Sequence, residues 1–479
     1  MDKIGKESED EDQQRAKPDY EKKGRKEVNE GGTHRLRKET SPDKPFSLKA
    51  IFKFIGPGLI TGASDNDPSG IATYSQAGAK FGYGMLWMAI VTFPMVVIVE
   101  EMCARIGLIY GKGLSQIIKE NYSKKMLYIV SSLLLIANTI NIGADIGAMG
   151  ASIRLLVPTI PFFTATFIFT AIILIAEIFI PYKTYSKILK FLTFSLFLYI
   201  LTAFLVVNSS DWTIIAKSTF LPHFELDKTF VLMIVAVLGT TISPYLFFWQ
   251  ASEEVEEEVR DGKIKEMGQQ QGTPKPKTTK LDLKNMRLDV ITGMGFAQII
   301  FWFIIITSAS SLHNNGVTNI SSAEEAAKAL QPLVKVFPYS GQIASGLFAA
   351  GIIGTGLLAV PVLAASASYA VSECFVWTEG LYKKFLQAPR FYGIIIASTV
   401  IGLWINFSSI DPIEALIYAA VINGIISVPL LIVIMKIANN KKVLGDKVNN
   451  KISNLITLIT IITMASASVA MVIYSWIVI

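Results

Sequence analysis

Cysteine, histidine and charge are all scarce in this chain, and each scarcity removes a class of function. The two cysteines, Cys103 and Cys374, lie near the ends of apolar segments with no metal-ligand spacing, so neither a disulfide framework nor a thiolate metal site is expected. The three histidines, His34, His223 and His313, fall outside the apolar segments, which leaves no imidazole relay inside them. Charged residues make up only 17% of the sequence, against about a quarter in soluble domains. The net charge of +6 does not point to nucleic acid, because the basic residues cluster in the short stretches between apolar runs. No apolar core lies near Met1, so a cleaved signal peptide is not expected.

What is abundant is apolar length. Hydrophobic residues form 51% of the chain, and the mean hydropathy is +0.46. Eleven apolar segments, each near the ~20 residues that span a bilayer as helix, fall at about 51–78, 83–109, 126–154, 160–180, 187–208, 229–250, 288–310, 340–371, 391–408, 412–436 and 454–478. With the N-terminus inside, the cytoplasmic stretches hold 38 of the 44 Lys and Arg residues. That asymmetry predicts a multi-pass protein of the cell membrane with a cytoplasmic N-terminus and an extracellular C-terminus. Residues 1–46 read as a disordered cytoplasmic tail, 251–287 as a cytoplasmic loop and 454–478 as an additional helix beyond a 47–436 core. The acidic run Glu253, Glu254, Glu256, Glu257 and Glu258 reads as the solvated end of the sixth segment; the other reading is a cation-gathering inner mouth.

Two segments are interrupted. The first holds GPGLITGASDNDPSG, Gly56 to Gly70, in which Asp65, Asp67, Pro68 and four glycines break an apolar run. A charge at bilayer depth costs roughly 2.5–3.5 kcal/mol on insertion scales and is tolerated facing a cavity or partner. Pro68 removes a backbone donor, and carbonyls freed beside a carboxylate make an oxygen-rich cation site. The second interruption is Gly239-Thr240-Thr241-Ile242-Ser243-Pro244-Tyr245, five segments later. Paired breaks at matching places in two halves predict an all-α inverted-repeat transporter, with repeats at about 51–208 and 229–436 and its site at the midplane.

These residues carry a resemblance. Gly56 to Trp87, Glu101 to Leu114, Ala144 to Ser152 and Gly239 to Tyr245 resemble segments of the NRAMP family of divalent metal transporters, and the similarity covers most of residues 50 to 435. It implies a LeuT-type 5+5 fold with broken helices 1 and 6, and no enzymatic activity or resident cofactor. The family's Asp-Pro-Gly-Asn signature stands here as Asp67-Pro68-Ser69-Gly70, so the Asp is kept and the Asn is lost. Thr240 matches a family backbone-carbonyl ligand, and Ser243 replaces a methionine.

Oxygen ligands suit Mg²⁺, Ca²⁺ and Mn²⁺ better than a thioether does, and Mg²⁺ keeps several waters. Glycine and serine at the exchanged positions are therefore expected to make a harder, roomier site, similar to the NRAMP-related magnesium transporters. Asp67 is the expected principal ligand, with Thr240, Ser243, Asp65, Asn66 and the space at Gly70 contributing directly or through water. The family's sixth-helix histidines are replaced by Tyr245 and Gln250. Asp145 matches a family acidic residue, but Ala148 stands where a glutamate follows.

The expected function is uncoupled import of Mg²⁺, also Mn²⁺, by a protein working as a monomer in the bilayer. A proton-coupled Mn²⁺/Fe²⁺ symporter and a LeuT-fold amino-acid symporter are the alternatives. An intramembrane aspartyl protease using Asp67 and Asp145 is disfavoured by the matched breaks. Asn423 lies where the family has a polar residue facing the ion, with interhelical glue as its other role. Asp145 is either a proton carrier or a polar contact between helices. Glu100 and Glu101, with Arg105, read as an interfacial ion-pair cluster.

Overall fold

The computed structural model describes residues 57–180, 196–208, 210–225, 227–268, 275–334, 339–408 and 410–477. The tail 1–46, the first part of the fifth apolar segment and the Gln-rich stretch at 269–274 lie outside them. Among the described residues all regular structure is helical. In chain order the helices are α1 (Pro57–Asp65), α2 (Pro68–Phe81), α3 (Trp87–Tyr110), α4 (Leu114–Asn121), α5 (Lys124–Leu156), α6 (Phe162–Phe179), α7 (Phe197–Val206), α8 (Asp211–Phe220) and α9 (Lys228–Thr241). They continue with α10 (Pro244–Arg260), α11 (Lys280–Ser311), α12 (Ala323–Ala327), α13 (Ser340–Phe375), α14 (Pro389–Ile405), α15 (Pro412–Ala438), α16 (Lys441–Leu444) and α17 (Lys451–Ile477). Among the described residues eight stretches are long and apolar enough to cross a bilayer, the α9–α10 pair counting as one.

The two interruptions fall where proline and a capping residue put them. Asp67 is extended and caps α2, its carboxylate accepting from the Gly70 N–H, with Pro68 in the first turn. Proline fits that place because the first helical N–H has no intrahelical partner to lose. Ser243, also extended, precedes Pro244 at the start of α10. Carbonyls released by this second break are met by hydroxyls: Ser427 of α15 donates to Ile242 O at 2.8 Å, while Ser366 of α13 donates to Tyr245 O in the first turn of α10 at 2.8 Å. Non-helical backbone at membrane depth requires such internal partners.

Small residues bring the broken helices close to their supports. A Cβ added at Gly62 of α1 would overlap the Gly293 carbonyl of α11, and one at Gly239 of α9 would overlap the Ala420 carbonyl of α15. With no hydrophobic gain between helices in lipid, such backbone approach carries the association. At Gly356 of α13 the space is filled by the Met149 thioether of α5, beside Pro68. Outward, α6 and α7 expose Phe167, Ile175, Leu201 and Phe204, an apolar surface that suits acyl chains. At the end of α3, Arg105 pairs with Glu101 at 3.2 Å and binds the Lys447 carbonyl and the Asn449 side chain. Glu101 also takes Arg287 at 2.9 Å.

Two expectations are corrected. The stretch 251–287 is not a loop throughout, because α10 runs to Arg260 and α11 begins at Lys280. The acidic run on α10 is not solvated: Glu253, Glu254, Glu256 and Glu258 are buried beneath α13 and α4, neighbours that local sequence cannot reveal.

Candidate functional site

Both breaks open onto the same place. Ser69 Oγ donates to Asp67 Oδ1 at 2.6 Å and lies 3.2 Å from Thr240 Oγ1, so one hydroxyl joins the first break to the second. Tyr74 OH sits 3.0 Å from Thr241 Oγ1, and Tyr245 OH donates to the Ser64 carbonyl at 2.7 Å. Tyr245 is thereby a clasp between the halves, within electrostatic reach of Asp67, Asp65 and Asp145.

Asp67 is buried and fully hydrogen-bonded. Oδ1 also accepts from the Gly70 N–H at 2.7 Å, and Oδ2 accepts from Asn141 Nδ2 at 3.0 Å. Three donors to one carboxylate hold it oriented. Around it stand oxygens with nothing to accept: Asp65 Oδ1, Asn66 Oδ1, Asn141 Oδ1 and both Asp145 oxygens have no hydrogen-bond partner. All four residues are buried. Unpartnered buried acceptors carry a desolvation cost of about 1–3 kcal/mol each, and a cation arriving among them removes it.

Asn141 was not singled out from sequence, yet it places an amide at Asp67. The signal was available: Asn141 lies four residues before Asp145, one helical turn away on the same face of α5. Glu100 was misread as interfacial. It is buried with both oxygens unpartnered, within electrostatic reach of Asp65, while Glu101 alone makes the expected ion pairs.

The room expected at Gly70 is taken. A Cβ there would meet Asp65 O at 3.2 Å, Thr240 Oγ1 at 3.3 Å and the Tyr74 ring at 3.3 Å, so glycine lets these groups close in, and its N–H serves Asp67. Ser243 Oγ donates to Thr240 O at 2.7 Å and Gly239 O at 2.9 Å. The carbonyl assigned to an ion from sequence is thus already shared with Ser243, leaving one lone pair. Asn423 Nδ2 has no partner, and the Asn423 carbonyl accepts from Ser427 at 2.8 Å. Among the described residues no three His, Cys, Asp or Glu side chains converge to grip an ion. The oxygens at this place are carboxylate, carbonyl and amide oxygens, a hard donor set.

The known proteins that this chain resembles agree in kind. It is 25% identical over 407 residues to the divalent metal cation transporter MntH of Caldanaerobacter subterraneus subsp. tengcongensis, covering 83% of this chain and 87% of that protein. The Yersinia pestis MntH is 23% identical over 418 residues, 85% of this chain and 91% of its own. Among solved structures, the Eremococcus coleocola manganese transporter superposes with a TM-score of 0.67 at 16% identity, covering 90% of this chain and 88% of that one. Mhp1, a nucleobase-cation-symport-1 transporter, gives 0.54 at 13% identity, with 88% and 93% covered. The family described as natural resistance-associated macrophage protein-like, Nramp, matches residues 58–474. The fold is LeuT-type, and the chain belongs to the Nramp family.

Proposed function

We propose that this protein carries divalent metal cations across the cell membrane, with Mg²⁺ as the preferred ion and Mn²⁺ as a second substrate. The observation that carries this reading is Asp67: a buried carboxylate at the meeting of two helix breaks, ringed by unpartnered oxygens. The relatives' names, divalent metal cation transporter and manganese transporter, support the class of substrate. The preference for Mg²⁺ rests on the hard, all-oxygen surroundings and on Ser243 in place of a thioether. Asp67 is the principal ligand, Asp65, Asn66, Asn141 and Thr240 contribute directly or through water, and Ser243 positions the Thr240 carbonyl. The N-terminus is assigned to the cytoplasm, the C-terminus to the exterior, and the monomer is the working unit.

The test is uptake into proteoliposomes followed with a magnesium-sensitive dye, with Mn²⁺ and Ca²⁺ in parallel. Mg²⁺ entry that Mn²⁺ competes with is the expected result; entry of Mn²⁺ alone would refute the Mg²⁺ assignment. Ser243→Met should move the preference toward Mn²⁺ by about tenfold, some 1.4 kcal/mol. An unchanged Mg²⁺:Mn²⁺ ratio in a well-folded variant would remove the hard-ligand argument.

Transport runs down the ion's electrochemical gradient without protons, drawn by a potential worth ~2.3 kcal/mol per charge per 100 mV. In support, His223 lies in the connection between α8 and α9, and His313 lies at the very end of the α11 span, in a 3-10 turn, its Nδ1 2.8 Å from the Ala79 carbonyl oxygen. Metal entry should therefore produce no metal-dependent acidification of the vesicle lumen, measured with a pH dye. A second reading, proton-coupled Mn²⁺ transport, is favoured by two observations: the unpartnered Asp145 carboxylate and the Met149 thioether packed near Pro68. A proton flux abolished in Asp145→Asn would select it. An amino-acid symporter of the same fold would need bare amides at the first break, where carboxylates stand.

A further inference from the structure

On α1, Thr61 lies one turn from Asp65 and so on the same face of the helix. Thr61 Oγ1 donates to Gln250 Oε1 of α10 at 2.5 Å, and Gln250 Nε2 donates to Glu254 Oε1 at 3.2 Å. All three residues are buried, Thr61 and Gln250 completely. Nearer the break, Tyr245 OH donates to Ser64 O at 2.7 Å. Gln250, Glu254 and Glu257 stand at i, i+4 and i+7 of α10, one face of that helix, and the Glu257 side chain is 35% exposed. A polar stripe thus leads from the Thr61–Gln250 pair to the surface.

The seam between α1 and α10 differs from the seams beside it. On its far side α1 is fastened to α11: the Gly58 N–H donates to Asp289 Oδ2 at 2.7 Å, and a Cβ at Gly62 would overlap the Gly293 carbonyl. In turn α10 is fastened to α3, where a Cβ at Gly107 would overlap the Ala251 carbonyl, and to α13, where Ser252 Oγ donates to Glu373 Oε1 at 3.3 Å. Backbones in contact leave no room for water. Between α1 and α10 the hydrogen bonds start from side chains, a hydroxyl and a phenol. Ion pairs of side chains likewise link α11 to α3, Arg287 with Glu101 at 2.9 Å, and α11 to the connection after α10, Asp282 with Lys263 at 3.3 Å. Such groups exchange a protein partner for water at a small net cost.

We propose, resting on the reading of Asp67 as the transport site, that the Thr61–Gln250 hydrogen bond is the inner barrier of the path. The ion leaves for the cytoplasm when this bond breaks and water enters the seam between α1 and α10 along the stripe of Gln250, Glu254 and Glu257. Thr61 and Gln250 are positioning residues: they hold the two inner half-helices together and need not touch the ion. The outer half-helices carry a pair of the same kind, Tyr74 OH and Thr241 Oγ1 at 3.0 Å. Each side of the site therefore has its own hydrogen bond between the broken helices, and loosening one changes access from that side alone.

The test is thiol labelling of the full-length protein in its membrane, in a background carrying Cys103→Ala and Cys374→Ser. Ser64→Cys is the reporter, because Ser64 is buried and lies between Thr61 and the break. A membrane-impermeant maleimide is applied to intact cells, which present the outer face, and to inverted vesicles, which present the inner one. Adding Thr61→Val should speed labelling from the inner face about fivefold, the worth of one net hydrogen bond, and leave the outer rate unchanged. Thr61→Ser, which keeps the hydroxyl, should label at the parent rate, and Thr241→Val should raise the outer rate and not the inner. Gln250→Leu repeats the inner test from the other partner should Thr61→Val not fold. An unchanged inner rate, or a rise from both faces as general loosening would give, overturns the proposal. The labelling needs no metal, so normal uptake in Asp67→Asn would defeat the transport-site reading and leave the rates as they are. Lost uptake in Asp67→Asn with an unchanged inner rate in Thr61→Val would defeat the barrier alone.

Discussion

Asp67→Asn is expected to abolish metal uptake, by at least about 100-fold, while leaving the protein folded. The change removes the charge and keeps the shape. An asparagine carbonyl oxygen can still accept from Ser69 Oγ and the Gly70 N–H, which now donate to Oδ1 at 2.6 and 2.7 Å, so the cap of α2 survives. A divalent ion, in contrast, loses its one oriented anionic ligand at a buried site. Breaking a buried charge pairing is worth about 3–5 kcal/mol, and 1.4 kcal/mol is a factor of ten. Asp67→Ala should show the same loss of uptake together with a small loss of stability, about 0.5–2 kcal/mol for the missing cap. Comparing the two variants by dye uptake and by thermal melting separates ligand from cap. Normal uptake in Asp67→Asn would show that the ion is held elsewhere.

Gly62→Val should cost the protein its fold. The added Cβ points into the Gly293 carbonyl of α11, which is backbone and cannot rotate away, so α1 would have to leave its support. Overpacking usually costs about 1–3 kcal/mol, and a clash of two backbones exceeds that. The half-helix that would move also carries Asp65 and ends at the break, so both stability and the site are lost together. The expected readout is a collapsed monodisperse peak in size-exclusion chromatography, or a melting temperature far below the parent. Gly393→Val is the control, because nothing lies within 4 Å of a Cβ there. A Gly62→Val protein that melts like the parent would mean that α1 and α11 are not in backbone contact.

The breaks were legible because they are written in residues with strong local preferences. Proline ends a helical ladder, aspartate and serine tolerate the extended cap geometry, and glycine permits the close approach that follows. Most apolar segments were legible from length alone, and the short one at 391–408 was found as α14, while the one at 187–208 is described only from residue 196. Other features needed the third dimension. Gly70 suggested room because an asparagine had been exchanged for glycine, yet Tyr74 and Thr240 close on it; a small residue signals either space or contact, and only its neighbours decide which. Glu100 and Glu101 are adjacent in sequence but face opposite environments, one toward Asp65 in the interior and the other toward Arg105 and Arg287.

The sequence by itself determined that this chain is a bundle of membrane-spanning helices, that two of them are broken, and where each break falls. Those properties follow from hydropathy and backbone chemistry, which act over a few residues. The tertiary structure decided that Asn141 reaches Asp67, that Ser243 shares the Thr240 carbonyl, and that the acidic end of α10 is buried under α13 and α4. Each of these depends on contacts between residues more than 70 positions apart or on carbonyls that a break sets free. Their energy comes from burial and from pairing of groups removed from water, which only the assembled helices impose.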